Sequence, residues 1–150
     1  MKLLIVDDSF AVRTRLEVLL SALENVEIVG QATSRSEGIA AVRNLKPDLV
    51  VVDIQLPGGI DFLRDLKADP DPPTVVALTN FPYRQYRFQC SRAGADFVLD
   101  KATEFERLTG ICSSERREVR GETMNDLATA GSGESAAEQT RTIRIGPDGY

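Results

Sequence analysis

The stretch Asp48-Leu49-Val50-Val51-Val52-Asp53-Ile54-Gln55-Leu56-Pro57-Gly58-Gly59 is an apolar, β-branched run that stops at a carboxylate and passes into a Pro-Gly-Gly turn. That pattern predicts a strand buried on both faces, the kind found in a parallel sheet covered by helices on each side. Such sheets place their chemistry at the carboxyl ends of the strands. Asp53 stands at such an end. An Asp also serves turns in its own right, so its neighbours in the fold decide what it does.

Working outward, four more apolar runs flank the central one. Lys2 to Val6 precedes Asp7-Asp8, and Val12, Leu16, Leu19, Leu20 and Leu23 then recur at helical spacing. Glu27 to Ala32 is a second strand. Ser34 with Glu37 three residues later forms a capping-box pattern for a helix through Ile39, Val42 and Leu45, stopped at Pro47. Beyond the central strand, Ile60, Leu63 and Leu66 mark a short helix that ends in Asp69-Pro70-Asp71-Pro72-Pro73.

Thr74 to Thr79 is the fourth strand. Tyr83, Tyr86 and Cys90 follow at helical spacing, closed by Ala93-Gly94. Asp96 to Leu99 is the fifth strand, running into Asp100-Lys101. Thr103 with Glu106 predicts a second capping box, and Phe105, Leu108, Cys112 and Val119 predict a last helix reaching about Arg120. Parallel strands need crossover connections, and right-handed crossovers gather the carboxyl ends of all five strands along one edge. Asp7-Asp8, Asp53, Thr79 and Lys101 meet there.

Bulk properties narrow the function. The 150 residues suit one domain with a tail, and 42% hydrophobic residues suffice for a core. A net charge of −5 argues against nucleic acid or an anionic membrane as the main partner. The chain has no histidine, so its chemistry rests on carboxylates, hydroxyls or lysine. Cys90 and Cys112 fall within helical patterns and read as two reduced, packed thiols. Asp7-Asp8 interrupts the opening apolar run too early for a signal peptide, and no run approaches the ~18 apolar residues of a membrane span. A cytoplasmic location is expected. From Gly121 to Tyr150 the composition turns small and polar, which predicts a mostly disordered tail, with Arg141 to Ile145 as a candidate docked strand.

Three carboxylates brought together repel unless a cation lies among them. A hard divalent ion, Mg²⁺ or Mn²⁺, fits an all-oxygen donor set. Asp8, Asp53 and the main-chain carbonyl of Gln55 are the expected direct ligands, with Asp7 holding a coordinated water. An Asp carboxylate can also act as a nucleophile toward a phosphoryl group. Lys101 then offers a point charge, and Thr79 a hydroxyl donor, to the phosphoryl oxygens.

The order Asp7-Asp8, Asp53, Thr79, Lys101 resembles the receiver domain of bacterial two-component response regulators over about residues 1 to 120. Leu3-Leu4-Ile5-Val6-Asp7-Asp8, Pro47-Asp48-Leu49-Val50-Val51-Val52-Asp53, Ala77-Leu78-Thr79 and Ala93-Gly94-Ala95-Asp96 follow the family pattern. The resemblance implies a flavodoxin-like α/β fold with strand order 2-1-3-4-5. It also implies phosphoryl transfer from a histidine kinase or phosphotransfer protein to Asp53, a Mg²⁺ requirement, Thr79 as the switch hydroxyl and Lys101 on the phosphoryl group. Four positions depart from the pattern. Pro57-Gly58-Gly59-Ile60-Asp61 is a shortened loop, and Asn80 is bulkier than the small residue usual after the switch Thr. Ala102 replaces the usual proline; because a non-proline cis bond costs roughly 3 kcal/mol, a trans or strained bond is expected. Val98 stands where a switch aromatic is usual, and Phe97 points to the opposite face.

The function implied is a phosphorylation-controlled switch rather than an enzyme. Its output partner would be read on the face of the fourth helix, fifth strand and fifth helix, the chain being a monomer or weak homodimer. The stretch after Gly121 carries no two-helix pattern or basic stripe, so direct nucleic-acid binding is not expected of it. Two alternatives are a constitutive interaction module and a Mg²⁺-dependent phosphatase with an aspartyl nucleophile. The phosphatase would need a second Asp two residues after the first, where Gln55 and Ser9 stand.

Overall fold

The structure, a computed structural model, describes residues 1–81 and 83–114. The elements run β1 (Lys2–Val6), α1 (Phe10–Ser21), β2 (Glu27–Ala32), α2 (Arg35–Leu45), β3 (Leu49–Asp53), α3 (Gly59–Lys67), β4 (Thr74–Thr79), α4 (Arg84–Ala93) and β5 (Phe97–Asp100). Residues 107–114 form the described part of a last helix, α5. All strands are parallel, in the order β2-β1-β3-β4-β5. This is the expected flavodoxin-like sheet. The reach to Arg120 and the tail from Gly121 lie outside the described residues.

Period-two alternation splits each inner strand between two cores. Leu4, Val6, Val50, Val52, Val75, Ala77 and Val98 face Phe62, Leu63, Leu66, Cys90 and Ala93, and so pack beneath α2, α3 and α4. Leu3, Ile5, Leu49, Val51, Val76, Leu78, Phe97 and Leu99 face Leu16, Leu20, Leu108, Ile111 and Cys112 on α1 and α5. Val98 and Phe97 are on opposite faces, as their neighbouring positions require. Each fully buried aliphatic or Phe side chain stabilises the fold by about 1.5–3 kcal/mol. Cys90 and Cys112 are both buried and unbridged.

Asp48 fixes where β3 begins. Its N–H donates to the Lys2 carbonyl at 2.7 Å, its carbonyl accepts from the Thr74 N–H at 2.9 Å, and its Oδ2 accepts from the Lys2 N–H at 2.7 Å. At the far end of β3, the turn into α3 depends on two glycines. Gly58 has φ +74°, and a Cβ on Gly59 would lie 2.3 Å from the Ile54 carbonyl oxygen, a backbone atom that cannot move aside.

Ser34 caps α2, its Oγ accepting from the Glu37 N–H at 3.2 Å. The Glu37 carboxylate reaches one residue further back than a capping box requires, to the Thr33 N–H and hydroxyl. The box expected at Thr103 and Glu106 gives way to another arrangement. Glu104 organises the turn into α5, accepting from the Asp100 N–H at 2.9 Å and pairing with Arg87 and Arg107. Two further expectations shift slightly. β5 runs one residue later than its apolar run suggests, and Tyr83 stands just before α4 at its N-cap position, 68% exposed, and not within the helix. The peptide bond before Ala102 is trans.

Candidate functional site

The carboxyl ends of β1, β3, β4 and β5 form one edge, and the expected residues meet on it. Asp7 and Asp8 follow β1, Asp53 closes β3, Thr79 closes β4 and Lys101 follows β5. Asp7, Asp8 and Asp53 each offer a carboxylate oxygen, and these oxygens all lie within 4.8 Å of one another. Asp7 and Asp53 are buried while Asp8 is exposed, so the group opens to solvent on the Asp8 side.

Lys101 reaches into this acidic group, its Nζ 3.0 Å from Asp7 Oδ2 and 3.3 Å from Asp53 Oδ2. The Asp7 contact is one of charge only, because Asp7 Oδ2 is buried without a directed hydrogen bond. The other Asp7 oxygen accepts from the Ser9 N–H at 2.8 Å. Burial pushes the Asp53 carboxyl above its ordinary range; the Gln55 N–H opposes this, Asp7 adds to it, and Lys101 pulls the other way without cancelling it. One ammonium therefore faces three carboxylates. A buried carboxylate oxygen lacking a donor and an all-oxygen group with surplus negative charge are what a hard divalent cation fits.

Thr79 is fully buried, and its hydroxyl is already engaged. Oγ1 accepts from the Phe81 N–H at 2.8 Å and from Gln55 Nε2 at 3.1 Å, and it donates to the Phe81 carbonyl at 3.4 Å. Gln55, considered in the sequence only for its carbonyl, proves to tie two loops together. Its N–H donates to Asp53 Oδ1 at 2.9 Å, and its Oε1 accepts from the Asn80 N–H at 3.1 Å. Three more residues escaped the sequence reading. Ser9 caps α1 through the Val12 N–H, and Arg13, whose Nε donates to Gln31, holds the Asp7 carbonyl at 2.7 Å. A Ser directly after Asp7-Asp8 and before a helical pattern was the available signal for the cap.

The sequence model of the response regulator receiver domain family matches residues 3–113. An uncharacterized response regulatory protein of Vibrio cholerae is 39% identical over 108 residues, covering 70% of this chain and 44% of the relative. Protein-glutamate methylesterase/protein-glutamine glutaminase 4 of Hahella chejuensis is 32% identical over 120 residues, covering 78% of this chain and 30% of the relative. The chain thus spans less than half of either relative's length. In fold, it is similar to the isolated REC domain of RcsB from Salmonella enterica, solved with the phosphomimetic BeF3-. That similarity has a TM-score of 0.72 at 18% identity, covering 78% of this chain and 88% of that one. Among the described residues no helix is long and apolar enough to cross a membrane.

Proposed function

This chain belongs to the response regulator receiver domain family, and on that premise we propose that it is a switch set by phosphorylation of Asp53. A histidine kinase or phosphotransfer protein is the donor. A carboxylate oxygen of Asp53 bonds to phosphorus as the phosphorus–nitrogen bond to the donor histidine breaks, and the departing ring nitrogen takes a proton. The chain's own part is regulatory, since it holds the phosphoryl group and does not turn over a substrate. The single observation that carries this reading is Lys101 between Asp7 and Asp53, a cation already placed where phosphoryl oxygens would arrive.

Asp8, Asp53 and the Gln55 carbonyl would hold a Mg²⁺ or Mn²⁺, with Asp7 on a coordinated water. The ion supplies the positive charge that lets a phosphoryl dianion approach these carboxylates. Thr79 then donates to a phosphoryl oxygen, and a protein partner reads the resulting arrangement on the face of α4, β5 and α5.

The test is incubation with acetyl phosphate and Mg²⁺, followed by intact mass. A phosphoryl adduct that disappears in Asp53→Asn and on chelation supports the switch. The absence of any adduct under those conditions would leave a constitutive interaction module.

A further inference from the structure

In this chain the residue on β5 that would carry an aromatic is Val98, a short side chain buried in the α2/α3/α4 core. It has no polar tip and little room to move. The Thr79 hydroxyl, by contrast, is fastened to an aromatic group in a different place. Both of its Phe81 contacts are to the backbone of that residue, and the Phe81 ring stacks on Tyr83 at 6.5 Å and meets Tyr86 edge-on at 6.2 Å. Phe81 is 48% exposed, whereas Tyr86 is half-buried against the core that contains Val98.

Gln55 joins the same group from the β3 side through Thr79 Oγ1 and the Asn80 N–H. Burial raises the Tyr86 hydroxyl pKa, and the Gln55 side chain opposes that rise. The head of α4 is lightly fastened, because Tyr83, its N-cap residue, makes no side-chain capping bond. Further along, Arg87 Nη1 on the same helix donates to the Val98 carbonyl at 2.9 Å.

We propose that the ring cluster Phe81, Tyr83 and Tyr86 at the head of α4, clasped by the Thr79 hydroxyl and the Gln55 amide, carries the phosphorylation signal out of the site. This rests on the reading of Asp53 as phosphoacceptor and Thr79 as the responding hydroxyl. A hydroxyl has one proton to give, and here it goes to the Phe81 carbonyl at 3.4 Å, near the limit of a hydrogen bond. A phosphoryl oxygen is a charged acceptor, and such bonds are roughly twice as strong as neutral ones. The proton therefore leaves Phe81 when Asp53 is modified. Turning Oγ1 also withdraws the acceptor used by the Phe81 N–H and Gln55 Nε2, so the cluster loses its tether and repacks. β5 need not move.

Hydrogen exchange read by mass spectrometry on the full chain tests this in two arms. In the resting protein, Thr79→Val should raise exchange across residues 81–87 by at least about fivefold, the scale of losing even one of the Oγ1 hydrogen bonds. An unchanged rate there overturns the clasp, whether or not Asp53 takes a phosphoryl group. In the second arm, acetyl phosphate and Mg²⁺ should change exchange across 80–88 in the unaltered chain and leave 97–100 unmoved. Phe81→Ala, at an exposed position outside the acidic site, should take the same mass adduct and lose most of that change; Tyr86→Phe should lose part of it. A change centred on 97–100, or a full-sized change in Phe81→Ala, overturns the route. An adduct absent from the unaltered chain overturns the phosphoacceptor reading and this route with it.

Discussion

The two oxygens of the Asp53 carboxylate have different partners. Oδ1 accepts the Gln55 N–H, and Oδ2 shares Lys101 with Asp7. With burial raising its pKa, an ionised Asp53 opposes folding at neutral pH, and that cost fades as pH falls through the raised value toward the ordinary 3.8. In chelator, Asp53→Asn, which keeps the Oδ1 acceptor, should be more stable than the parent at pH 7 by about 1 kcal/mol. Thermal melts across pH should show the gap closing on the acid side. Glu104 has the opposite sign. Burial works against its carboxylate, but the Asp100 N–H together with Arg87 and Arg107 outweighs burial and holds its pKa below the ordinary 4.5. Its contribution is present above that value and is lost as pH falls through the depressed one. Glu104→Gln should therefore cost about 2 kcal/mol at neutral pH by urea titration, with the difference vanishing in acid. Asp53 was legible in the sequence because it ends an unmistakable strand. Gln55 was not, because its amide's partners are Thr79 at the end of β4 and Asn80 just after it, and only the fold brings them near.

Among the elements, local pattern reads well where the partners are local. All five strands and α1 through α4 follow from apolar periodicity, since burial on two faces leaves a period that no loop imitates. The two capping-box patterns show where this stops. Ser34 caps α2, whereas at the start of α5 the carboxylate that closes the turn is Glu104, selected by Arg87 from a distant helix. Tertiary charge overrides a motif written in four residues. Ser34→Ala should then cost about 1 kcal/mol in a denaturant titration, as the loss of an N-cap does, and Thr103→Ala should cost close to nothing.

At the level of the whole molecule, one sheet serves two cores, and neither can be weakened alone. Phe62, on α3 and fully buried in the layer that α2, α3 and α4 form over the sheet, lies so close to Gly38 that a Cβ there would sit 2.7 Å from its ring. Phe62→Ala should cost about 3–5 kcal/mol, and Leu20→Ala in the opposite layer about 2–5 kcal/mol. Each should lower a single unfolding transition, followed by circular dichroism, rather than split it into two. This layered plan was readable from the alternation of the strands. What burial cannot specify is phase. β3 is apolar on both sides, so sliding it by one residue would exchange its faces at small cost to either core and turn Asp53 away from Lys101. The clamp at Asp48, three hydrogen bonds to β1 and β4 on the opposite edge of the sheet, removes that freedom. It acts as the zero mark of a ruler. Five residues further on, about 16 Å at the rise of a strand, the ruler delivers its carboxylate to the reactive edge.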